Sequence, residues 1–344
     1  MWEVAGQNRA LSLLQRSLEV GSLAHAYLFV GPAHIGKMTL ALNLAQALNC
    51  EESEPPCGEC ASCQKITSAK HADVQVIDLG SNGGSAEAES RVKISVEQIE
   101  QLQHSASLPP FEGKCKVFII DGVELLSIGA ANRLLKTLEE PEGKVVFVLL
   151  STNENLLPPT IVSRCQRVEL VPLSAGEVET ALSSRWGVEP EKARLLARCS
   201  DGRLGWAVLA ASDDTLLQQR AERLDEMLEL VSTDNERRFN YVAQLVSGFS
   251  QNREPVQEKL YLWLEWWRDL LLVKVGCNDA VTNVDRLKEL TGMAEGYTLS
   301  QIRGFIDNIR MAGEQLRLNA NPQLALEVLM LSIPEKSKVK NPTF

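Results

Sequence analysis

The chain has 344 residues, enough for two or three domains with separate cores, and its 44% hydrophobic and 23% charged residues are ordinary for a globular protein. A formal net charge of −10 excludes a chain that grips duplex DNA over its whole surface, though it leaves room for local basic patches. No run approaches the roughly 20 apolar residues of a membrane span, and Met1 leads straight into Gln7-Asn8-Arg9-Ala10-Leu11 without a signal-like segment, so a cytoplasmic protein with no membrane partner is expected.

The first half alternates short apolar runs with helical patterns. Tyr27-Leu28-Phe29-Val30 reads as a buried strand, followed by a glycine loop and a helix with Leu40, Leu44 and Leu48 at four-residue spacing. Val74 to Ile77, Val117 to Ile120 and Val145 to Leu150 supply further strands. Among the intervening helices, one opens on the capping-box pattern Ser95-Val96-Glu97-Gln98. Strands alternating with helices predict a parallel sheet covered on both faces. The Gly80-Ser81-Asn82-Gly83-Gly84-Ser85 run reads as a loop. After about residue 170 the strand signals stop and Pro172 marks a linker. The rest is helical, with Leu260, Trp263, Trp267, Leu270 and Leu271 on one broad apolar face that suits core packing or a subunit interface.

Gly31-Pro32-Ala33-His34-Ile35-Gly36-Lys37-Met38 stands between a strand and a helix, the context of a Walker A phosphate loop, with Gly31, Gly36 and Lys37 at its spacing. Such a loop aims backbone N–H groups and a helix N-terminus at phosphate oxygens, and Lys37 adds a full positive charge. The next position should carry a hydroxyl for magnesium; Met38 offers a thioether, a poor ligand for a hard cation. Val117-Phe118-Ile119-Ile120-Asp121 ends an apolar strand on an acid, as a Walker B strand does. The acid that orients the attacking water usually comes next, but Gly122 stands there and Glu124 lies two residues further on. Nucleotide binding (ATP or ADP) is thus left open, and turnover is not expected.

Cys50, Cys57, Cys60 and Cys63 form C-x6-C-x2-C-x2-C, with the first at the end of the helix that follows the phosphate loop. Four soft sulfur ligands with no open position describe a structural tetrahedral zinc site. Disulfides would need an oxidising compartment, and an iron–sulfur cluster has no other electron-transfer feature to accompany it.

The order of these motifs continues through Ala131-Asn132-Arg133-Leu134-Leu135-Lys136-Thr137-Leu138-Glu139-Glu140-Pro141 to Pro159-Thr160-Ile161-Val162-Ser163-Arg164-Cys165. It resembles the clamp-loader subunits of bacterial DNA polymerase III over residues 5 to 170. The resemblance implies a RecA-like AAA+ domain with an inserted zinc module (residues 1–170, the module at about 50–63). A helical lid (171–212), an all-α collar (213–335) and a tail (336–344) follow. It further implies that Arg164 is an arginine finger projecting in trans into a neighbour's ATP site, and that Asn153 holds the sensor-1 position. Two kinds of subunit share the motifs, the gamma/tau motor ATPase and the delta-prime stator. Met38, Gly122 and Gly205 stand where the motor has a hydroxyl, an acid and the sensor-2 arginine, and His34 replaces a loop glycine. These losses favour the delta-prime kind, whose implied partners are gamma/tau and delta subunits, the sliding clamp and, through the complex, primed DNA. An active gamma/tau-type ATPase is one alternative, and a non-replicative nucleotide-binding module with a zinc knot is another.

Overall fold

A computed structural model describes residues 2–80, 93–139, 143–249, 253–318 and 320–336. Residues 81–85 of the expected loop, Glu140 and Pro141 of the long motif, and residues 337–344 of the tail lie outside them. The chain divides into two compact units, one comprising Met1–Leu173 with Arg203–Gly205 and the other Ser174–Gly202 with Trp206–Phe344.

The first unit runs α1 (Asn8–Val20), β1 (Ala26–Val30), α2 (Lys37–Asn49), α3 (Ala61–Thr67), β2 (Val74–Ile77), α4 (Val96–Ser107), β3 (Lys116–Asp121), α5 (Ile128–Glu139), β4 (Val145–Ser151), α6 (Pro159–Val162) and β5 (Gln166–Glu169). All pairings are parallel, in the order β2-β3-β4-β1-β5. The central strands are near-continuous apolar runs because both of their faces are covered. Alternate residues feed opposite layers. Tyr27, Phe29, Val117 and Ile119 pack with Leu40 and Leu44 of α2, whereas Leu28, Val30, Phe118 and Ile120 pack with Leu102 of α4 and Leu134 of α5. The expected capping box forms at the start of α4, where Ser95 and Gln98 exchange side-chain-to-backbone bonds. β5 was not among the predicted strands. It is a four-residue edge strand on which Val168 alone is buried, while Arg167 pairs with Glu154 and with Glu169.

The second unit is entirely helical among its described residues: α7 (Ala175–Trp186), α8 (Pro190–Cys199), α9 (Leu204–Ser212, which begins in the first unit), α10 (Thr215–Ser232), α11 (Asn235–Ser247), α12 (Glu254–Lys274), α13 (Leu287–Glu295), α14 (Leu299–Arg317) and α15 (Pro322–Leu331), with short 3-10 turns between α12 and α13. Its core is centred on α12. Trp263, Trp266, Trp267 and Leu270 are buried, and the Trp267 ring lies 4.6 Å from that of Phe305 and 5.4 Å from that of Tyr297. Core packing is what occupies these indoles. No described helix is long and apolar enough to cross a membrane.

Candidate nucleotide-binding site and metal centre

The phosphate loop leaves the carboxyl end of β1 and enters α2. Gly31 is confined: a Cβ there would lie 2.5 Å from Leu170 O, and its N–H donates to Ser151 O at the end of β4 (3.2 Å). Gly36 caps α2 at φ +105°. His34 adopts φ +60°, a left-handed conformation that strains a residue with a Cβ. Lys37 is only 8% exposed, and its ammonium donates to Gly31 O (2.7 Å) and Pro32 O (2.8 Å). Two of its three protons therefore satisfy the loop's own carbonyls. Burial pulls the lysine pKa down, opposed by the charges of Glu124 and Asp121.

Asp121 ends β3. Burial pushes its carboxyl up; Lys37 opposes the shift, and Glu124 and Asp78 add to it. Met38 packs against the apolar layer that holds Leu40 and Leu44, so no magnesium-ligating hydroxyl follows the lysine. Gly205 meets the loop by backbone alone: its N–H donates to His34 O (2.8 Å), and a Cβ would lie 2.6 Å from that oxygen. Asn153 accepts from Asn155 N (3.0 Å), capping a 3-10 turn of its own loop.

Glu124, two residues beyond Gly122, is brought back toward the loop by the turn after β3. Gly122, at φ +71°, turns the chain into a 3-10 turn over Val123–Leu125. That turn returns Glu124 to the electrostatic neighbourhood of Lys37 and Asp121. Its Oε1 accepts from Thr152 N (3.0 Å) and Thr152 Oγ1 (2.5 Å), while Oε2 is buried without a hydrogen-bond partner. The only sequence signal was a glycine immediately after the strand acid.

Arg164 follows α6. Its Nη1 donates to Thr160 O (2.9 Å) and Ser163 Oγ (3.4 Å), and its Nη2 pairs with Glu139 at the end of α5. About a third of the side chain is exposed (34%). The neighbouring Cys165 packs against the core, and burial pushes its thiol up to about 12.

The four clustered cysteines converge. Their Sγ atoms all lie within 4.8 Å of one another, and those of Cys57 and Cys63 are 3.9 Å apart. Thiolates about 2.3 Å from a tetrahedral ion stand about 3.8 Å from each other, so the donor set fits one zinc ion. Cys50 caps the end of α2 and Cys60 the start of α3, so two helix ends fix the turn between them. N–H groups of Cys60 and Glu59 draw the Cys57 thiol down to about 7, whereas burial pushes Cys63 up to about 12. A cation would hold all four as thiolates together.

Two side chains tie this knot to the sheet. Asp73 accepts the N–H groups of Phe111 (2.8 Å), Glu112 (2.8 Å) and Gly113 (2.7 Å), and Asn49 accepts those of Lys114 (2.8 Å) and Cys115 (3.1 Å). The Lys114 ammonium returns to Cys50 O. Burial opposes ionisation of Asp73, yet the three amides outweigh it and hold the carboxyl below its usual range. A depressed folded-state pKa stabilises the protein above the unfolded value of about 3.9, and that stability is lost as pH falls through the folded value. Asp73→Asn is therefore expected to lower stability at pH 7 by about 1–3 kcal/mol in urea denaturation. The difference from the parent should shrink as the pH approaches 3, and a pH-independent difference would exclude this account.

A five-stranded parallel sheet in this order, with a phosphate loop after β1, between β4 and β5, and an acid at the end of β3, defines a RecA-like domain of the AAA+ class. A family model described as "DNA polymerase III, delta subunit" matches residues 6–174, and one described as "DNA polymerase III, delta subunit, C terminal" matches residues 215–335. The delta-prime subunit of DNA polymerase III from Bacillus subtilis (strain 168) is 29% identical over 96% of this chain and 96% of its own length. The tau subunit of the same organism is 27% identical over 97% of this chain, which spans only 61% of that relative. Among solved structures, a DNA polymerase III gamma subunit-related protein of Thermotoga maritima is similar with a TM-score of 0.41 and 19% identity, over 94% of this chain and 98% of that one. The chain belongs to the DNA polymerase III clamp-loader subunits of the delta-prime type.

Proposed function

We propose that this chain acts as the stator of a DNA polymerase III clamp loader, supporting ATP-dependent placement of a sliding clamp on primed DNA. Its implied partners are gamma/tau-type and delta subunits together with the clamp, and Arg164 is the residue offered in trans to a neighbouring motor's nucleotide site. The observation that carries this reading is an asymmetry within one domain. Lys37 is folded onto Gly31 O and Pro32 O beside a position without a hydroxyl, while Arg164 stays partly exposed just beyond α6. A guanidinium near a transferring phosphoryl group stabilises its developing charge, and such arginines contribute roughly 10³–10⁵ in rate at the site they serve. Gly31, Gly36, Lys37, Asp121 and Asn153 remain as a degenerate nucleotide site. Cys50, Cys57, Cys60 and Cys63 hold a structural zinc in this reading, which neutralises four thiolates and closes the segment between α2 and α3.

The return of Glu124 to the neighbourhood of Lys37 and Asp121 favours a second reading, an active gamma/tau-type ATPase in which Glu124 replaces the missing acid. ATP turnover by the reconstituted loader, with primed DNA and clamp, separates the two. Arg164→Ala in this chain alone should lower turnover sharply while Lys37→Ala leaves it unchanged. Loss of a share of turnover with Lys37→Ala would establish the second reading instead.

A further inference from the structure

Arg164 is not a free side chain. Glu139, the last residue of α5, takes one guanidinium nitrogen, and Thr160 O takes another at 2.9 Å. Both anchors stand beside core residues: Leu138, next to Glu139, and Ile161, next to Thr160, are buried in the same core layer. Sequence separation conceals the pairing, since the two partners stand 25 positions apart. About half of the Glu139 side chain and a third of the Arg164 side chain stay exposed (49% and 34%), so the pair is screened by water and leaves guanidinium surface for another ligand.

We propose that Glu139 is the positioning residue for Arg164, holding the guanidinium in one rotamer before a neighbouring nucleotide site reaches it. This rests on the trans role of Arg164 given above. A long arginine side chain loses much rotamer freedom when it is fixed. If Glu139 and Thr160 O fix it in advance, less is lost as charge develops on the phosphoryl oxygens, and electrostatic stabilisation is strongest from groups already in place. A carboxylate in a partly exposed pair does little to cancel the arginine charge, because solvent screens it. Glu139 touches neither nucleotide nor phosphate in this scheme and acts only through Arg164.

The test uses the full reconstituted loader with clamp and primed DNA, carrying Arg164→Ala, Glu139→Ala, Glu139→Gln or the Arg164→Ala/Glu139→Ala double variant of this chain. Glu139→Ala should lower kcat for ATP by about two- to fivefold, the scale of one exposed ion pair, and leave KM unchanged. Glu139→Gln, which keeps an acceptor of the same shape, should restore most of the loss. The double variant should be no slower than Arg164→Ala alone, because nothing remains to be positioned. An unchanged or raised kcat in Glu139→Ala, or a double variant slower than Arg164→Ala, overturns the positioning role. If Arg164→Ala itself leaves turnover unchanged, the trans role fails, a distinct outcome from failure of the positioning role alone.

Discussion

Replacing Asp269 with alanine is expected to destabilise the helical unit by about 3–5 kcal/mol, a large share of the roughly 5–15 kcal/mol that holds a typical domain together. Asp269 lies on α12, fully buried. Its Oδ2 accepts from Thr282 N (3.0 Å), Asn283 N (2.7 Å) and Asn283 Nδ2 (2.7 Å). Asn283 Oδ1 takes Arg220 of α10, whose Nη1 also pairs with Asp285 Oδ2 at 3.1 Å; Cys199 of α8 lies 3.8 Å from Asp285 Oδ1. One carboxylate thus organises a polar chain through three helices and the segment joining α12 to α13. Alanine would strand three buried donors, each costing about 1–3 kcal/mol, with partial relief as the segment shifts. Asp269→Asn keeps the shape and one acceptor oxygen and should fall between alanine and the parent. Urea denaturation followed by far-ultraviolet circular dichroism reads the loss, and a change below about 1 kcal/mol for alanine would show that the network contributes little. The same network bears on function. A brace is useful only if it does not yield, and Arg198 and Asp201 of the α8–α9 region also reach Asp279 O and Tyr261, so these helices are bound to those that follow.

The sheet was legible because its strands carry the pattern of two-sided burial. Val117 to Ile120 and Val145 to Leu150 are unbroken apolar runs, and Ser95 with Gln98 announced its helix through local chemistry alone. β5 was not legible for the same physical reason in reverse: as an edge strand it buries only Val168 and keeps Arg167 and Glu169 in water. The phosphate loop and the cysteine knot were readable because their chemistry depends on spacing within a short segment. The approach of Glu124 to Lys37 and Asp121 depends on the left-handed turn at Gly122, which one-dimensional distance does not convey. The Arg164–Glu139 pair and the Asp269 network depend on contacts between distant elements, and no periodicity records them.

Removing the zinc proposed for the four-cysteine knot is expected to melt the segment between α2 and β2 while leaving the sheet folded. The segment has little core of its own. Glu51, Glu52, Ser53, Glu54 and Glu59 are exposed, and between the first and last cysteine only Pro56 and Ser62 are buried besides Cys50 and Cys63 themselves. Without a cation burial keeps Cys63 a thiol while backbone N–H groups draw Cys57 down to about 7, and nothing then bridges the four sulfurs. The core layer beneath draws only Ile66 from this segment, so Tyr27, Phe29, Leu40 and Leu44 keep their contacts when it opens. Structural zinc contributes an apparent ~10–16 kcal/mol in isolated finger peptides, and part of that here is already supplied by Asn49, Asp73 and the Lys114 bond to Cys50 O. Chelation, or Cys63→Ser, should therefore release about one zinc per chain and abolish amide-exchange protection across residues 50–67, with strand protection in β3 and β4 preserved. Brown protein with visible charge-transfer absorption would identify an iron–sulfur cluster instead. Retained protection after complete metal removal would mean that Asn49 and Asp73 suffice to hold the knot, making the cation dispensable for its fold.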